Sequence, residues 1–138
     1  MGNVDFVNLL FTYEGRLNRI HYWLAVIIYI FAMILAAVLS FVLGMGMLFF
    51  IIVAIIYIPV VISGVMVGIK RLHDRDKSGW WLLVFYLLPA VLSWLGASMG
   101  ASFIFSLASF AVSIWGLVEL GFLRGTIGPN QYGPDPVG

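Results

Sequence analysis

Residues 47–79 read MLFFIIVAIIYIPVVISGVMVGIKRLHDRDKSG, a run of 23 residues without a charge from Met47 to Ile69, followed by ten residues that carry six charges. A bilayer's hydrocarbon core is about 30 Å thick and a helix rises ~1.5 Å per residue, so about 20 apolar residues suffice to cross it. Working outward, Tyr22 to Leu43 precedes this run, and Trp80 to Ala97 and Ser102 to Leu123 follow it. None of the four shows a polar face recurring every three or four residues, as a helix in water would. They are also twice the length of the alternating segments that build a membrane barrel. The whole chain agrees: 138 residues, 63% hydrophobic, 9% charged and a mean hydropathy of +1.11, against roughly 45–50% apolar and ~25% charged for a soluble domain. The sequence therefore predicts an all-α membrane protein, a four-transmembrane-helix bundle forming one integral membrane domain over residues 1–138, with spans at 22–43, 47–69, 80–97 and 102–123.

Charge fixes the expected orientation. Arg16 and Arg19 precede the first span, Lys70, Arg71, Arg75 and Lys77 lie between the second and third, and Arg124 follows the fourth; these are all seven basic residues. The connections at Gly44 to Gly46 and Ser98 to Ala101 carry none, so the positive-inside rule predicts a cytoplasmic N-terminus and C-terminus. The first span is too long for a cleaved signal peptide, whose apolar region is roughly 7–15 residues. Tyr22, Trp23, Trp80, Trp81 and Trp94 sit where interfacial aromatic belts belong. Within residues 1–20, Asp5, Asn8 and Thr12 share one stripe of Val4 to Tyr13 while apolar residues cover the rest, the pattern of a short helix lying flat in the interface. Residues 124–138, rich in glycine and proline, predict turns.

Helices in lipid associate by close packing at small residues. Ala32, Ala36, Ser40 and Gly44 recur every four residues in the first span, Gly64 and Gly68 form G-x-x-x-G in the second, and Ser102, Ser106, Ser109, Ser113 and Gly116 line the fourth. These stripes predict a compact bundle or a dimer seam. Arg16-Leu17-Asn18-Arg19 leading to Trp23 also rhymes with Arg71-Leu72-His73-Asp74-Arg75 leading to Trp80, and Gly68 with Gly121, which suggests two parallel helical hairpins about an axis along the membrane normal. Pro59 and Pro89 each remove a backbone hydrogen bond inside a span and favour a kink.

Glu119 is the sole ionisable residue within a predicted span. As a functional group it would be a proton or cation site; as a structural one it would reach the interface and pair with Arg71, Lys70 or a basic residue of the first helix. The mixed signs of residues 70–79 predict an ordered ion-pair network more than a polybasic lipid patch. His73, Asp74 and Asp76 with His21 lack metal-ligand spacing, Lys77-Ser78 lacks the glycines of a phosphate loop, and no nucleophile elbow occurs. No metal or cofactor is expected on these residues. The absence of cysteine excludes disulfides and thiol chemistry.

Three motifs carry a family likeness: Gly15-Arg16-Leu17-Asn18-Arg19 with Tyr22-Trp23; Lys70-Arg71-Leu72-His73-Asp74 with Ser78-Gly79-Trp80-Trp81; and Gly128, Asn130, Tyr132-Gly133 and Asp135-Pro136. Over essentially its whole length the chain resembles the bacterial inner-membrane family called domain of unknown function 805, the YhaH-like proteins. The resemblance implies a bacterial inner-membrane location and brings no activity with it. Asp76 and Lys77 stand where the family often has smaller or glycine-like residues.

The predicted topology puts all three motifs on one face. Arg16, Arg19, Arg71, His73, Asp74, Glu119, Asn130 and Tyr132 are the candidate members of a cytoplasmic polar cap. The leading expectation is a non-catalytic binding or scaffold protein, with this cap meeting a protein partner or lipid head group; a cap that only neutralises itself is the plainer alternative. The competing expectation is a small oligomeric proton-coupled transporter or channel using Glu119 and the two proline kinks. An enzyme acting on lipids ranks third, for want of a nucleophile. Membrane lipids and a second copy of the chain are further candidate partners, and nucleic acid is not.

Overall fold

The computed structural model describes residues 5–44 and 46–136. Val4 of the expected interfacial segment and Met45 of the 44–46 connection lie outside the described residues. Five helical elements follow in order: α1 (Phe6–Phe11), α2 (Arg19–Leu43), α3 (Met47–Asp74), a third span (Gly79–Met99) and a fourth span (Ser102–Phe122). The third span opens with a 3-10 turn and a π turn (Leu83–Leu87) before its α-helical part, α4 (Leu88–Met99). The fourth consists of α5 (Ser102–Leu117) closed by a π turn, Val118–Phe122. All four spans are long and apolar enough to cross a membrane. The chain is an all-α multi-pass membrane protein.

Local chemistry sets the helix starts. Asn18 and Ser78 sit at N-caps, where their side-chain oxygens accept from the amides of His21 and Trp80 and satisfy donors that a first turn leaves orphaned. Gly44 and Gly100 end α2 and α4 at positive φ, conformations that cost a residue with a Cβ. The α3 helix runs through Pro59 without a break and continues to Asp74, five residues past its expected end. Basic side chains suit that last turn, where carbonyls point outward and the helix carries partial negative charge. Pro89 follows the π turn and occupies the first turn of α4, where its missing N–H costs little.

Packing divides the molecule into two hairpins, α2 with α3 and α4 with α5. Gly96 lets Phe105 lie against α4, and Ser109 donates to the Pro89 carbonyl at 2.8 Å. The hairpins meet only toward the end that bears the charges: nowhere do α2 or α3 bring their backbones within 8 Å of α4 or α5. Their meeting is reciprocal. Leu82 and Tyr86 of the third span press on Gly68 of α3, while Tyr22 and Trp23 of α2 press on Gly121 of the fourth span. This exchange is what two parallel hairpins about a membrane-normal axis would produce.

The small-residue stripes are only partly used. Ala36 and Gly68 are buried, and the most enclosed alanine is Ala25 at 0% exposure. Gly44 serves as a helix cap with open space beside it, Ser40 turns back to the Ala36 carbonyl of its own helix, and a Cβ on Gly64 would touch nothing. Ser106 and Ser113 are exposed. Spacing of four marks one side of a helix, but only the lower part of that side has a neighbour here. Ala32 is half-buried.

The α1 helix packs on α3 and does not merely lie beside the bundle. Its Leu9 is buried in a cluster with Leu17, Ala25 and Val67, whereas Phe6, Val7 and Phe11 face outward. Close approach at Gly96 should be unforgiving, because an added Cβ meets the Phe105 Cβ at 2.6 Å and backbone at Ser102. Gly96→Val should lose about 1–3 kcal/mol of stability to overpacking, while Gly64→Ala should unfold like the parent chain; thermal unfolding in detergent, followed by tryptophan fluorescence, measures both.

Candidate functional site: a polar cap closed on itself

The charged end of the molecule is built around Arg71, which has no solvent exposure. Its Nη1 donates to Asp74 Oδ2 at 2.6 Å and to the Leu17 carbonyl, its Nε donates to the Leu120 carbonyl, and its Nη2 to that of Leu123. Arg16 grips Asp74 from the other side: Nε reaches Oδ1 at 3.0 Å, and the same guanidinium takes the carbonyls of Thr126 and Gly128. Asp74 thus lies between two guanidiniums, all three side chains being almost wholly buried. A buried carboxylate is tolerable only with such partners.

A second knot surrounds Glu119, which is 3% exposed. Arg75 Nε and Lys77 Nζ approach the same oxygen, Oε1, at 2.9 and 2.7 Å. The expected partners were Arg71, Lys70 or a basic residue of the first helix, and the difference follows from helix geometry. Because α3 continues to Asp74, Lys70 and Arg71 point about 100° apart, so Lys70 faces α1 while Arg71 faces the fourth span. Arg75 follows one turn after Arg71 and sits over the same neighbour.

Counting cations against anions leaves a surplus that backbone carbonyls absorb. The last four C=O groups of a helix lack partners within it, and in a membrane each must be satisfied. At the end of the fourth span Arg71 takes those of Leu120 and Leu123, Trp23 Nε1 takes Gly121 at 2.8 Å, and Arg19 takes Phe122 at 3.0 Å. Lys70 does the same for α1, donating to the carbonyls of Asn8 and Leu9. Arg75 adds the Arg124 carbonyl at 2.7 Å. The basic residues are therefore helix caps as well as charges, placed where helix C-termini concentrate negative potential.

Residues 124–136 fold over this core as a series of turns. Thr126 N donates to the Asp74 carbonyl at 2.7 Å, Asn130 Nδ2 donates to that of His73, and Gly128 N donates to Asp135. Gly125 lies so close to Asp74 that a Cβ there would strike the carboxylate. The His73 ring contacts the Gly15 carbonyl through Nδ1 and stacks on Tyr132, with centroids 3.8 Å apart and planes 4° from parallel. Asp76 has a φ of 59°, a left-handed conformation that residues with a Cβ adopt at a cost.

All eight candidate residues gather at this end, but in different settings. Arg16, Arg71, Asp74 and Glu119 are enclosed, Arg19 and Asn130 tie backbone, and His73 and Tyr132 border open space. Lys70, Arg75 and Lys77 belong to the cap and were missing from the candidate set; their signal was the charge density of residues 70–79. Beside the closed network lies a cleft of about 570 Å³, with Tyr13, Ile69, His73, Ser78, Trp80 and Tyr132 among its walls. Trp80 is 78% exposed. Among the described residues, no carboxylate, lysine or arginine lines this cleft.

Comparison with known proteins agrees with the resemblance drawn above. A family model described as "Protein of unknown function (DUF805)" matches residues 10–134. Inner membrane protein YhaH of Escherichia coli K12 is 28% identical over 130 residues, covering 90% of this chain and 86% of that protein. Uncharacterized protein YiiR of the same organism is 27% identical over 129 residues, at 91% and 86% coverage, and Inner membrane protein YhaI is 28% identical over 127 residues, at 90% and 85%. These names assign neither catalysis nor transport. No solved structure matches the chain.

Loss of the central carboxylate should be costly, since it leaves two buried guanidiniums facing each other. Asp74→Ala should lower stability by about 3–5 kcal/mol, whereas Arg124→Ala, at an ion pair on the surface, should cost about 0–1 kcal/mol. Thermal unfolding of both variants in the same detergent provides the comparison.

Proposed function

The chain belongs to the DUF805 family of membrane proteins, and from that premise we propose that it is a non-catalytic inner-membrane scaffold that presents its polar cap to the cytoplasm and engages a protein partner there. The observation that carries this reading is the contrast between the cap and the cleft at its edge. Both carboxylates of the cap core hold two cations each, and the remaining Arg71 and Arg16 donors go to carbonyls, so the groups of this network are committed chiefly to one another. The cleft beside it is open, largely apolar and walled by aromatic rings, with the Ser78 hydroxyl and the His73 ring at its rim. Aromatic groups standing in a recess are the usual energetic centres of a protein interface.

Cytoplasmic placement of the cap rests on charge. Every basic residue of the chain belongs to this end, and the connections at the far end carry none, which is the bias that orients membrane proteins. Alkaline phosphatase fused after residue 138 should be inactive in cells and fused after Gly100 should be active. The reverse pattern would invert the cap and refute its cytoplasmic role.

The transport reading has less support, because Glu119 is held by Arg75 and Lys77 and is not an unpaired carboxyl facing a wet path. For partner binding, a photoreactive amino acid placed at Trp80 should yield a discrete protein adduct in cells, and the same probe at Trp94 should not. Tyr132→Ala should abolish the Trp80 adduct. Equal labelling at both positions, or an adduct indifferent to Tyr132→Ala, would refute the cleft as the docking site.

A further inference from the structure

Three guanidiniums meet at the end of the fourth span. Arg19 Nη1 donates to the Phe122 carbonyl at 3.0 Å, Arg71 Nη2 to that of Leu123, and Arg75 Nη1 to that of Arg124 at 2.7 Å. Consecutive Cα atoms are ~3.8 Å apart, so three positive groups stand over three successive residues, and Arg19 and Arg75 both repel Arg71. A carbonyl satisfies a donor but carries no net charge. Arg71 has Asp74, Arg75 and Lys77 share Glu119, and Arg124 meets Asp135 at 3.6 Å. Arg19 is exposed and pairs with no carboxylate among the described residues. At this corner Arg19, Arg75, Lys77 and Arg124 thus face only Glu119 and Asp135; the exposed Asp76 forms no ion pair among the described residues.

The surroundings of Arg19 are those of a head-group layer. It is the first residue of α2, where the apolar span begins. One turn deeper along the helix, Trp23 meets the Phe122 ring at 5.5 Å between centroids, and Phe122 is 54% and Ile20 66% exposed. The uncompensated cation therefore stands above an exposed apolar ledge. A soluble phosphate gains nothing from that ledge, whereas a phospholipid rests its glycerol and the start of its chains there. A guanidinium offers phosphate oxygens a planar pair of donors, and Arg19 commits only Nη1 to Phe122. Basic groups gathered at the ends of membrane helices suit anionic head groups. Selection follows from the surplus of positive charge. Phosphatidylglycerol brings net negative charge, while phosphatidylethanolamine brings an ammonium of its own, which the surplus repels.

We propose that Arg19, in the positive field of Arg75 and Arg124, binds the phosphodiester of an anionic phospholipid in the leaflet on the cap side. The site shares no residue with the aromatic cleft, so the inference stands apart from the protein-partner reading.

The test titrates the full chain, purified in a neutral detergent, with phosphatidylglycerol, phosphatidylethanolamine or inorganic phosphate and counts adducts by native mass spectrometry. Phosphatidylglycerol should bind about tenfold more tightly than phosphatidylethanolamine, the value of one charge-assisted hydrogen bond. Arg19→Gln should erase that preference, and Arg19→Lys, which keeps the cation, should retain most of it. Because Arg19 also holds the Phe122 carbonyl, thermal unfolding of the lipid-free variants is measured alongside. Arg124→Gln disturbs only the surface pair with Asp135 and should weaken phosphatidylglycerol about threefold. Equal binding of the two lipids overturns the proposal, as does a preference that survives Arg19→Gln in a folded protein. If Arg19→Gln does not fold, an undiminished preference in Arg124→Gln overturns it equally. Displacement of phosphatidylglycerol by inorganic phosphate would give the site to a free anion and overturn its assignment to a lipid.

Discussion

Everything at the charged end depends on placing one guanidinium where no water reaches it. Arg71 carries a planar fork of five donors that cannot be deprotonated, so its burial demands acceptors on several sides. Its own helix supplies Asp74, the segment before α2 supplies Leu17, and the end of the fourth span supplies Leu120 and Leu123. Three parts of the chain distant in sequence are thereby fixed to one atom group. A lysine could offer no comparable fork. Arg16 then repeats the device on the outer side of Asp74 and extends it to the last segment of the chain.

This clasp explains why the hairpins need not pack along their lengths. In water, two helical hairpins touching at one end would expose unacceptable apolar surface, but lipid is as apolar as leucine and exerts no such pressure. What lipid does penalise is an unsatisfied carbonyl. The arrangement follows that asymmetry: side chains from α2 and α3 meet the carbonyls that end the fourth span, while the large residues farther along α2 and α5 simply face outward. Phe41 at 92% exposed and Phe103 at 76% are ordinary surface for a membrane helix.

Much of this was readable from composition and charge. Four long apolar runs admit one architecture, and the placement of Arg16, Arg71, Asp74 and Glu119 at a common end follows once the spans are counted. The pairings were not readable, because they depend on where α3 stops. With an end at Ile69, residues 70–79 form a loop with no defined faces; with an end at Asp74, Lys70 faces α1 and Arg75 faces Glu119. Nor did the sequence disclose that the cations answer carbonyls as much as carboxylates, since a backbone acceptor leaves no trace in residue identity. Of the stripe Ala32, Ala36, Ser40, Gly44 only Ala36 is buried within the chain, because spacing defines a helix face but says nothing of whether a neighbour extends that far. His73 and Tyr132 stand 59 positions apart, and only the fold makes them a stacked pair.

The four carbonyls that close the fourth span have a consequence for how the chain is made. Their partners, Arg19, Trp23 and Arg71, are all synthesised before Ser102, so the last helix is completed by residues already waiting in the bilayer. Until Leu120 and Leu123 emerge from the ribosome, Arg71 lacks half of its acceptors, and until Thr126 and Gly128 follow, Arg16 lacks theirs. A nascent first hairpin is thus an unfinished object, in which Lys70 already caps α1 while Arg71 and Arg16 are only partly bonded. The clasp is completed only by residues 120–128, and a chain halted before them would remain distinguishable, by those open guanidiniums, from one that had closed.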